Sequence, residues 1–258
     1  MPKPISLPPS LNNFFTQVAE ITTFTGHFFK SVIRPRYEFS ELLKQSFIIG
    51  YNSLGLVTVT GFIMGLVLTI QSRPTLARFG AESWLPGMVA ISLIREIGPV
   101  ITALICAGKV GSGIGAELAS MKVTEQIDAM EVSGTNPFKY IVVTRVVATM
   151  LMVPVLVIFA DGIGLFGSYI GVNIMGHVSL RLYFSQAMEH LDFVDVMPAF
   201  IKTFFFGFAI GIVSCYKGYT SNKGTEGVGI SANSAVVISS LLVFIIDLIA
   251  VQIASFFM

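Results

Sequence analysis

Four ionisable side chains lie inside long apolar segments of this chain. Arg95 and Glu96 stand side by side in AISLIREIGPVITALICAG (residues 90–108), and Lys202 and Asp247 each interrupt a later apolar run. A charge at the centre of a bilayer costs about 2.5–3.5 kcal/mol on insertion scales, so such groups need partners. Since neighbours on a helix point roughly 100° apart, we expect Arg95 and Glu96 to find their partners on other segments.

The signs of these four charges allow two pairings. One joins Arg95 to Asp247 and Glu96 to Lys202, and the other exchanges the partners. Two roles fit such a buried charge network. It can tune two states of a transporter or meet a lipid headgroup, or it can be a static network that fixes the positions of the helices.

Other polar side chains offer no catalytic or metal-binding arrangement. Glu189, His190, Asp192 and Asp195 lie close together in the sequence, but their spacing matches no zinc motif, which favours a solvated acidic loop. We therefore expect no catalytic residue, no metal and no cofactor bound by this chain. Asp161 interrupts another apolar run, and the sequence leaves its role open.

The composition is that of an integral membrane protein. Of the 258 residues, 53% are hydrophobic and only 12% are charged, whereas soluble domains carry about 25% charged residues. The formal net charge of +1 gives no indication of nucleic-acid binding.

Five apolar segments are long enough to cross a membrane, which takes about 20 residues. They cover residues 45–72, 83–108, 146–176, 196–216 and 229–257. The third is long enough to divide at Gly162 and Gly164, which leaves six spans as an alternative. Pro74 predicts a break just after the first span.

Residues 10–33 form a different kind of segment. Apolar side chains such as Phe24 and Phe28 recur at helical spacing, while Glu20 and Lys30 lie on another side. This pattern predicts an amphipathic helix in the membrane interface. The alternative is a helix outside the membrane that packs on the rest of the protein.

Basic residues predict the orientation of the spans. Many Lys and Arg lie in the N-terminal segment, in the connection 109–145 and in the loop before the last span (Lys3, Lys30, Arg34, Arg36, Lys44; Lys109, Lys122, Lys139, Arg145; Lys217, Lys223). The two connections on the opposite side carry few (Arg73, Arg78; Arg181). The positive-inside rule then places the N-terminus in the cytoplasm. Five spans leave the C-terminus on the other side.

The connection 109–145 is too long to be a plain link between neighbouring spans. It has no Gly or Pro between Ala116 and Val132, and it mixes apolar and acidic residues before Gly134. A short helix is predicted here, ended near Gly134. It suits docking into a groove of a soluble partner, and a solvated link between two spans is the alternative.

A resemblance favours the docking helix. The stretch LIREIGPVITALICAGKVGSGIGAELASMKVTEQIDAMEVSGTNPFKYIVVTRVVA, together with GLVLTIQ in the first span and the late aspartate, resembles the MlaE-type permeases from about residue 40 to the C-terminus. These are the membrane subunits of ABC transporters that move phospholipids or related lipids. The pattern E-Q-I-D-A-M-E at this distance from R-E-x-G-P is highly specific.

The resemblance implies a fold, partners and a location. The fold is all-α, with an N-terminal interfacial helix (1–37) and a permease domain (38–258) of five transmembrane helices and a cytoplasmic coupling helix between spans 2 and 3. The implied partners are a second copy of the chain, an ABC ATPase subunit (MlaF-like), an MCE-domain ring protein (MlaD-like) and a phospholipid substrate. ATP and Mg would be bound by the ATPase, because GKVGSG in this chain is not a P-loop. The implied location is the bacterial inner membrane, with the N-terminus cytoplasmic and the C-terminus periplasmic.

The resemblance also implies roles for individual residues. The residues that would contact the ATPase are Glu117, Glu125, Asp128, Met130 and Glu131. Those that would contact lipid are Leu68, Gln71, Leu76 and Phe79, near the outer end of span 1. Arg95, Glu96, Lys202 and Asp247 would lie near the lipid cavity.

The implied function is ATP-driven movement of phospholipid between the inner membrane and the MCE protein, which maintains the lipid asymmetry of the outer membrane. The chain would be a non-catalytic subunit. The alternative, from a different class, is an ion-coupled carrier or proton channel that uses the four buried charges and works without an ATPase.

Overall fold

The structure, a computed structural model, describes residues 9–33, 38–174, 176–221 and 224–256, with the side chains of 9–14 outside the description. This part is all-helical, with no strand in the ranges described. Eight helices succeed one another within these ranges: α1 (Pro9–Val32), α2 (Phe39–Arg78), α3 (Glu82–Val123), α4 (Gln126–Val132), α5 (Phe138–Asn173), α6 (Leu180–Glu189), α7 (Phe193–Tyr219) and α8 (Gly224–Ala254).

Five of these helices, α2, α3, α5, α7 and α8, are long and apolar enough to cross a membrane. The five predicted spans are therefore confirmed, and each helix is longer than its predicted span at one or both ends. The six-span alternative is wrong, because α5 runs without a break past Gly162 and Gly164. The break predicted at Pro74 is also wrong, since this proline lies inside α2.

Helices α2 and α5 pack closely through glycines. A Cβ at Gly65 would overlap the carbonyl oxygen of Gly164, and one at Gly61 would lie 2.8 Å from the carbonyl oxygen of Ala160. The two backbones touch directly, as small residues permit between membrane helices. Nearby, Thr69 and Ser168 add a buried hydroxyl contact of 2.5 Å between the same helices.

Helix α3 is too long for one membrane crossing. Its 42 residues extend about 63 Å at 1.5 Å per residue, against a hydrocarbon core of about 30 Å. Its last part, Ser112–Val123, continues into α4 and the loop to Phe138. We call residues 112–137 the arm.

The sequence predicted one continuous helix across 116–132. The structure instead divides this part of the arm into two helices. Glu125 adopts a left-handed conformation with φ 59°, which ends α3 after Val123 and starts α4 at Gln126. The predicted stop near Gly134 is confirmed, because Gly134 has φ 80° and Thr135 N–H bonds to the Met130 carbonyl in the manner of a glycine C-cap.

Helix α1 has a side that docks on the bundle and a side that is open. Phe28 is buried, and Phe24 contacts the rings of Phe138 and Tyr216 with centroid distances of 5.0 and 5.6 Å. Phe15 and Phe29 remain more than half exposed. The helix thus packs on the protein and still presents an apolar side that a membrane interface can receive. The predicted boundary at residue 37 lies outside the described residues.

Candidate functional site

The four charges that interrupt apolar segments come together in one cluster in which Lys202 is central. Its ammonium group lies 2.7 Å from Glu96 Oε2 on α3 and 2.8 Å from Asp247 Oδ1 on α8. The Lys202 side chain is only 4% exposed. One cation thus ties α7 to two neighbouring helices and takes both acids, so neither of the two predicted pairings describes the network completely.

Arg95 pairs with a residue that the sequence predicted to lie in a solvated loop. Its Nη1 lies 3.2 Å from Asp195 Oδ1, and its Nε is 4.0 Å from Glu96 Oε1. The proposed partner Asp247 bonds to Lys202 instead. The loop prediction is wrong for Asp195, which lies in the first turn of α7 with a side chain that is 16% exposed.

A sequence signal for Asp195 existed. It precedes Lys202 by seven residues, which is two helical turns, so both side chains share one face of α7. The predicted span began at residue 196, whereas α7 begins at Phe193. A start three residues earlier would have placed Asp195 on the face that carries Lys202.

A local irregularity of α3 sets the direction of its two charges. Arg95 and Glu96 lie in the π-helical segment Leu93–Ile97, and such segments are frequent at functional sites. Each π turn adds one residue, which rotates the next turns of the helix relative to a regular α-helix. Two adjacent side chains can therefore both reach α7, where Glu96 meets Lys202 and Arg95 meets Asp195.

The cluster is closed to a headgroup in this conformation. The cavity among the charged side chains has a volume of about 10 Å³, which is close to the minimum for one water molecule. Three carboxylates face two cations here, so a phosphate would find no spare positive charge. The ion pairs therefore hold α3, α7 and α8 together in this conformation. They would have to break before a molecule larger than water could enter the cluster.

Gly98 of the R-E-I-G-P motif leaves room for a further acid. A Cβ at this position would overlap the Asp161 Oδ1 atom of α5. That oxygen is buried and has no hydrogen-bond partner in the part of the chain described. Asp161 thus lies where α5 crosses α3, beside Gly98, which directly follows the π-helical segment Leu93–Ile97.

The four residues expected to contact lipid lie along one end of α2, with different surroundings. Leu68 and Leu76 pack against the buried apolar cluster that contains Leu85 and Val89 of α3. Gln71 is exposed, and Phe79, just after the helix, is 80% exposed. Only the last two are open to a molecule at this end of the bundle.

The residues expected to contact an ATPase lie on the arm, but they do not all point outward. Asp128 is exposed and bonds to Lys122 at 2.8 Å, and Glu125 and Glu131 are exposed. Met130 packs partly on the main core. Glu117 reaches back to Arg145 of α5 at 2.7 Å, so it belongs to the link between arm and bundle.

Comparison with known proteins gives a family. The family model described as Permease MlaE matches residues 42–253. A probable ABC transporter permease protein of Rickettsia typhi is 41% identical over 90% of both chains. One of Synechocystis is 33% identical over 92% of this chain and 90% of its own length.

A plant relative is also similar. The chloroplast protein named TRIGALACTOSYLDIACYLGLYCEROL 1 of Arabidopsis thaliana is 32% identical over 92% of this chain and 67% of its own length. The family match covers the arm and all or nearly all of each of the five long helices.

Proposed function

Because the chain belongs to the MlaE permease family, we propose that it is the membrane subunit of an ATP-driven ABC transporter that moves phospholipid. The match over residues 42–253 carries this proposal, since it includes both the charge cluster and the arm. The chain itself would be non-catalytic. A separate MlaF-like ATPase would bind ATP and Mg and supply the work.

The arm supports the partnership with an ATPase. It extends α3 beyond the length needed for the membrane, and exposed acids lie on α4 and just before it: Glu125, Asp128 and Glu131. A short acidic helix at the end of the long helix α3 suits docking in a groove of a soluble protein. The end of the bundle with the arm and α1 would face the cytoplasm, with the C-terminus periplasmic, because that end carries most of the basic residues.

Helix α3 connects the arm with the charge cluster. Arg95 and Ser112 belong to the same helix and lie about 26 Å apart along its axis. A second π-helical segment, Ala107–Gly111, separates them. Motion of the arm would therefore reach α3 at the cluster, where it would open or close the pairs to Lys202 and Asp195 and so bias two states of the transporter.

A second copy of the chain would complete the transport path. Few residues of helix α8 are buried, and four of its apolar side chains that are more than half exposed, Val237, Leu241, Phe244 and Leu248, are spaced four, three and four residues apart. This is the spacing of a helix–helix seam, which supports a homodimer. An MlaD-like MCE ring protein on the periplasmic side of a bacterial inner membrane would exchange lipid with the dimer and maintain outer-membrane lipid asymmetry.

The first test is mass spectrometry of proteins and lipids in the chain purified gently from its native membrane. We expect an ABC ATPase and phospholipid to be recovered. The variant Asp128→Lys/Glu131→Lys should lose the ATPase, because it reverses two charges on α4. Glu226→Lys, which changes an exposed acid at the start of α8, is the matched control and should retain it.

The same experiment decides between the permease and an ion-coupled carrier. The carrier is favoured by one observation, the cluster of five charges, Lys202 and four others, within the bundle of long apolar helices. Recovery of the chain alone and free of lipid, under conditions that preserve other membrane complexes, would refute the permease. Proton flux in vesicles would then be the next measurement.

A further inference from the structure

A buried cation lies outside the charge cluster, at the base of the arm. The Arg145 side chain of α5 is only 4% exposed. Its Nη2 atom is 2.7 Å from Glu117 Oε1, and its Nη1 atom donates to the Ile141 carbonyl at 3.2 Å. Its Nε atom is buried and has no hydrogen-bond partner in the described chain. One carboxylate therefore compensates the whole charge.

That carboxylate belongs to the arm. Among the ion pairs of the residues described, Glu117–Arg145 joins the arm to the membrane bundle, whereas Lys122–Asp128 stays within the arm. The Glu117 side chain is 51% exposed. The pair is thus asymmetric: Glu117 could enter water at little cost, but Arg145 would then remain buried and unpaired.

The other contacts at the base of the arm are apolar and close. Leu118 and Ala119 are fully buried. A Cβ at Gly218 of α7 would lie 2.6 Å from Leu118 Cβ and 2.8 Å from the Gly115 carbonyl oxygen. Such contacts hold the arm near α7, but apolar contacts are not directional. A guanidinium–carboxylate pair is directional, so it can fix the rotation of the arm about its own axis.

We infer that Arg145 is a positioning residue that sets the orientation of the arm relative to α5 through Glu117, and so couples ATP use to lipid movement. The coupling of ATP use to lipid movement rests on the proposed function. The orientation of the arm by Arg145 concerns the chain by itself and is testable without any partner. Lys122–Asp128, in contrast, braces α4 against α3 and does not reach the bundle.

The test of positioning is hydrogen exchange of the purified chain in nanodiscs, measured by mass spectrometry. In Glu117→Gln we expect the amides of residues 112–132 to exchange about tenfold faster, because a neutral amide holds the Arg145 guanidinium more weakly than the carboxylate does. Peptides of α6, which packs near Leu85 and Val89 at the other end of α3, should be unchanged. Glu226→Gln removes an exposed carboxylate that is not on the arm and serves as the control. Unchanged exchange across the arm in Glu117→Gln would overturn the inference.

The test of coupling uses the complex purified from its native membrane and reconstituted in proteoliposomes. In Glu117→Gln we expect the ATPase to remain bound and to hydrolyse ATP, while phospholipid moved per ATP falls by about tenfold, a usual size for coupling between sites. A merely structural role would reduce the yield of the complex and both activities together. That result would overturn the coupling role.

A double variant separates the ion pair from the burial of its charge. Glu117→Gln/Arg145→Met removes the cation together with its partner, so thermal stability should return to near that of the wild type. We expect phospholipid moved per ATP to stay low, since no directional contact is restored. Recovery of transport in the double variant would overturn the coupling role, because only the unpaired charge would then matter. A wild-type complex without ATP-driven transport would instead refute the proposed function, and the exchange experiment would still decide the positioning.

Discussion

Arg95 of α3 and Asp195 of α7 face each other at 3.2 Å, next to the bonds of Lys202 with Glu96 and Asp247. The two sets of contacts differ in how exposed the cation is. The Lys202 side chain is 4% exposed, and the Arg95 side chain is 33% exposed. Because a partly exposed side chain can move to other partners and a buried one cannot, the two cations should respond very differently to the loss of their partners.

The outer pair should be a modest contributor to stability. Asp195→Asn replaces the nearest carboxylate of Arg95 with a neutral amide and leaves only the long ion pair with Glu96, so we expect a loss of about 1–2 kcal/mol, between the values for exposed and buried pairs. SDS-induced unfolding in mixed micelles measures this free energy. Asp192→Asn, which changes an exposed acid three residues away, is the control, and an equal loss there would contradict a specific Arg95–Asp195 pair.

The inner cation should matter more. Lys202→Met leaves two carboxylates without their shared partner, and we expect a cost of about 3–5 kcal/mol if both stay charged. The same unfolding experiment measures it. Adding Glu96→Gln and Asp247→Asn to Lys202→Met removes the stranded charges and should recover most of the loss. A triple variant as unstable as Lys202→Met would show that packing, not charge, sets the cost.

Transport should be more sensitive than folding to the acids of the cluster. In Glu96→Gln and Asp247→Asn the chain should fold and retain the ATPase, because an amide still accepts a hydrogen bond from Lys202. Phospholipid transfer in proteoliposomes should be lost, because the altered ion pairs of Lys202 would no longer switch between the two states of the transporter. Wild-type transfer in both variants would favour the static network over the transport role.

Much of this architecture can be predicted from the sequence, because long apolar runs predict spans and isolated charges in them predict partners. The pairing of Glu96 with Lys202 was one of the options that the charge signs allowed. The apolar run alone places the start of α7 three residues too late, so it does not place Asp195 in the cluster. The break at Glu125 was missed because a left-handed glutamate has no strong sequence signal. The sequence predicts Arg145 only as a charge of the connection 109–145, since its burial depends on how α3, α5 and α7 cross.

Close packing between α2 and α5 gives a stability prediction that is independent of charge. Gly65→Ala should cost about 1–3 kcal/mol, the usual penalty for overpacking, because the new Cβ would overlap the Gly164 carbonyl oxygen. Gly55→Ala is a matched control on the same helix, since a Cβ there meets nothing within 4 Å. Equal effects of the two changes in thermal unfolding would contradict the direct backbone contact.

The seam on α8 gives a direct test of the homodimer. A cysteine at Leu241, which is 57% exposed, should form a disulfide between two copies on mild oxidation of native membranes, because its neighbour across a symmetric seam is the same residue. The native Cys106 and Cys215 are fully buried and should not react. Phe166→Cys on α5, 44% exposed, is the control that reports random collision in the membrane. Dimer bands of equal intensity from both cysteines would refute the α8 seam, and a band from Leu241→Cys alone would support it.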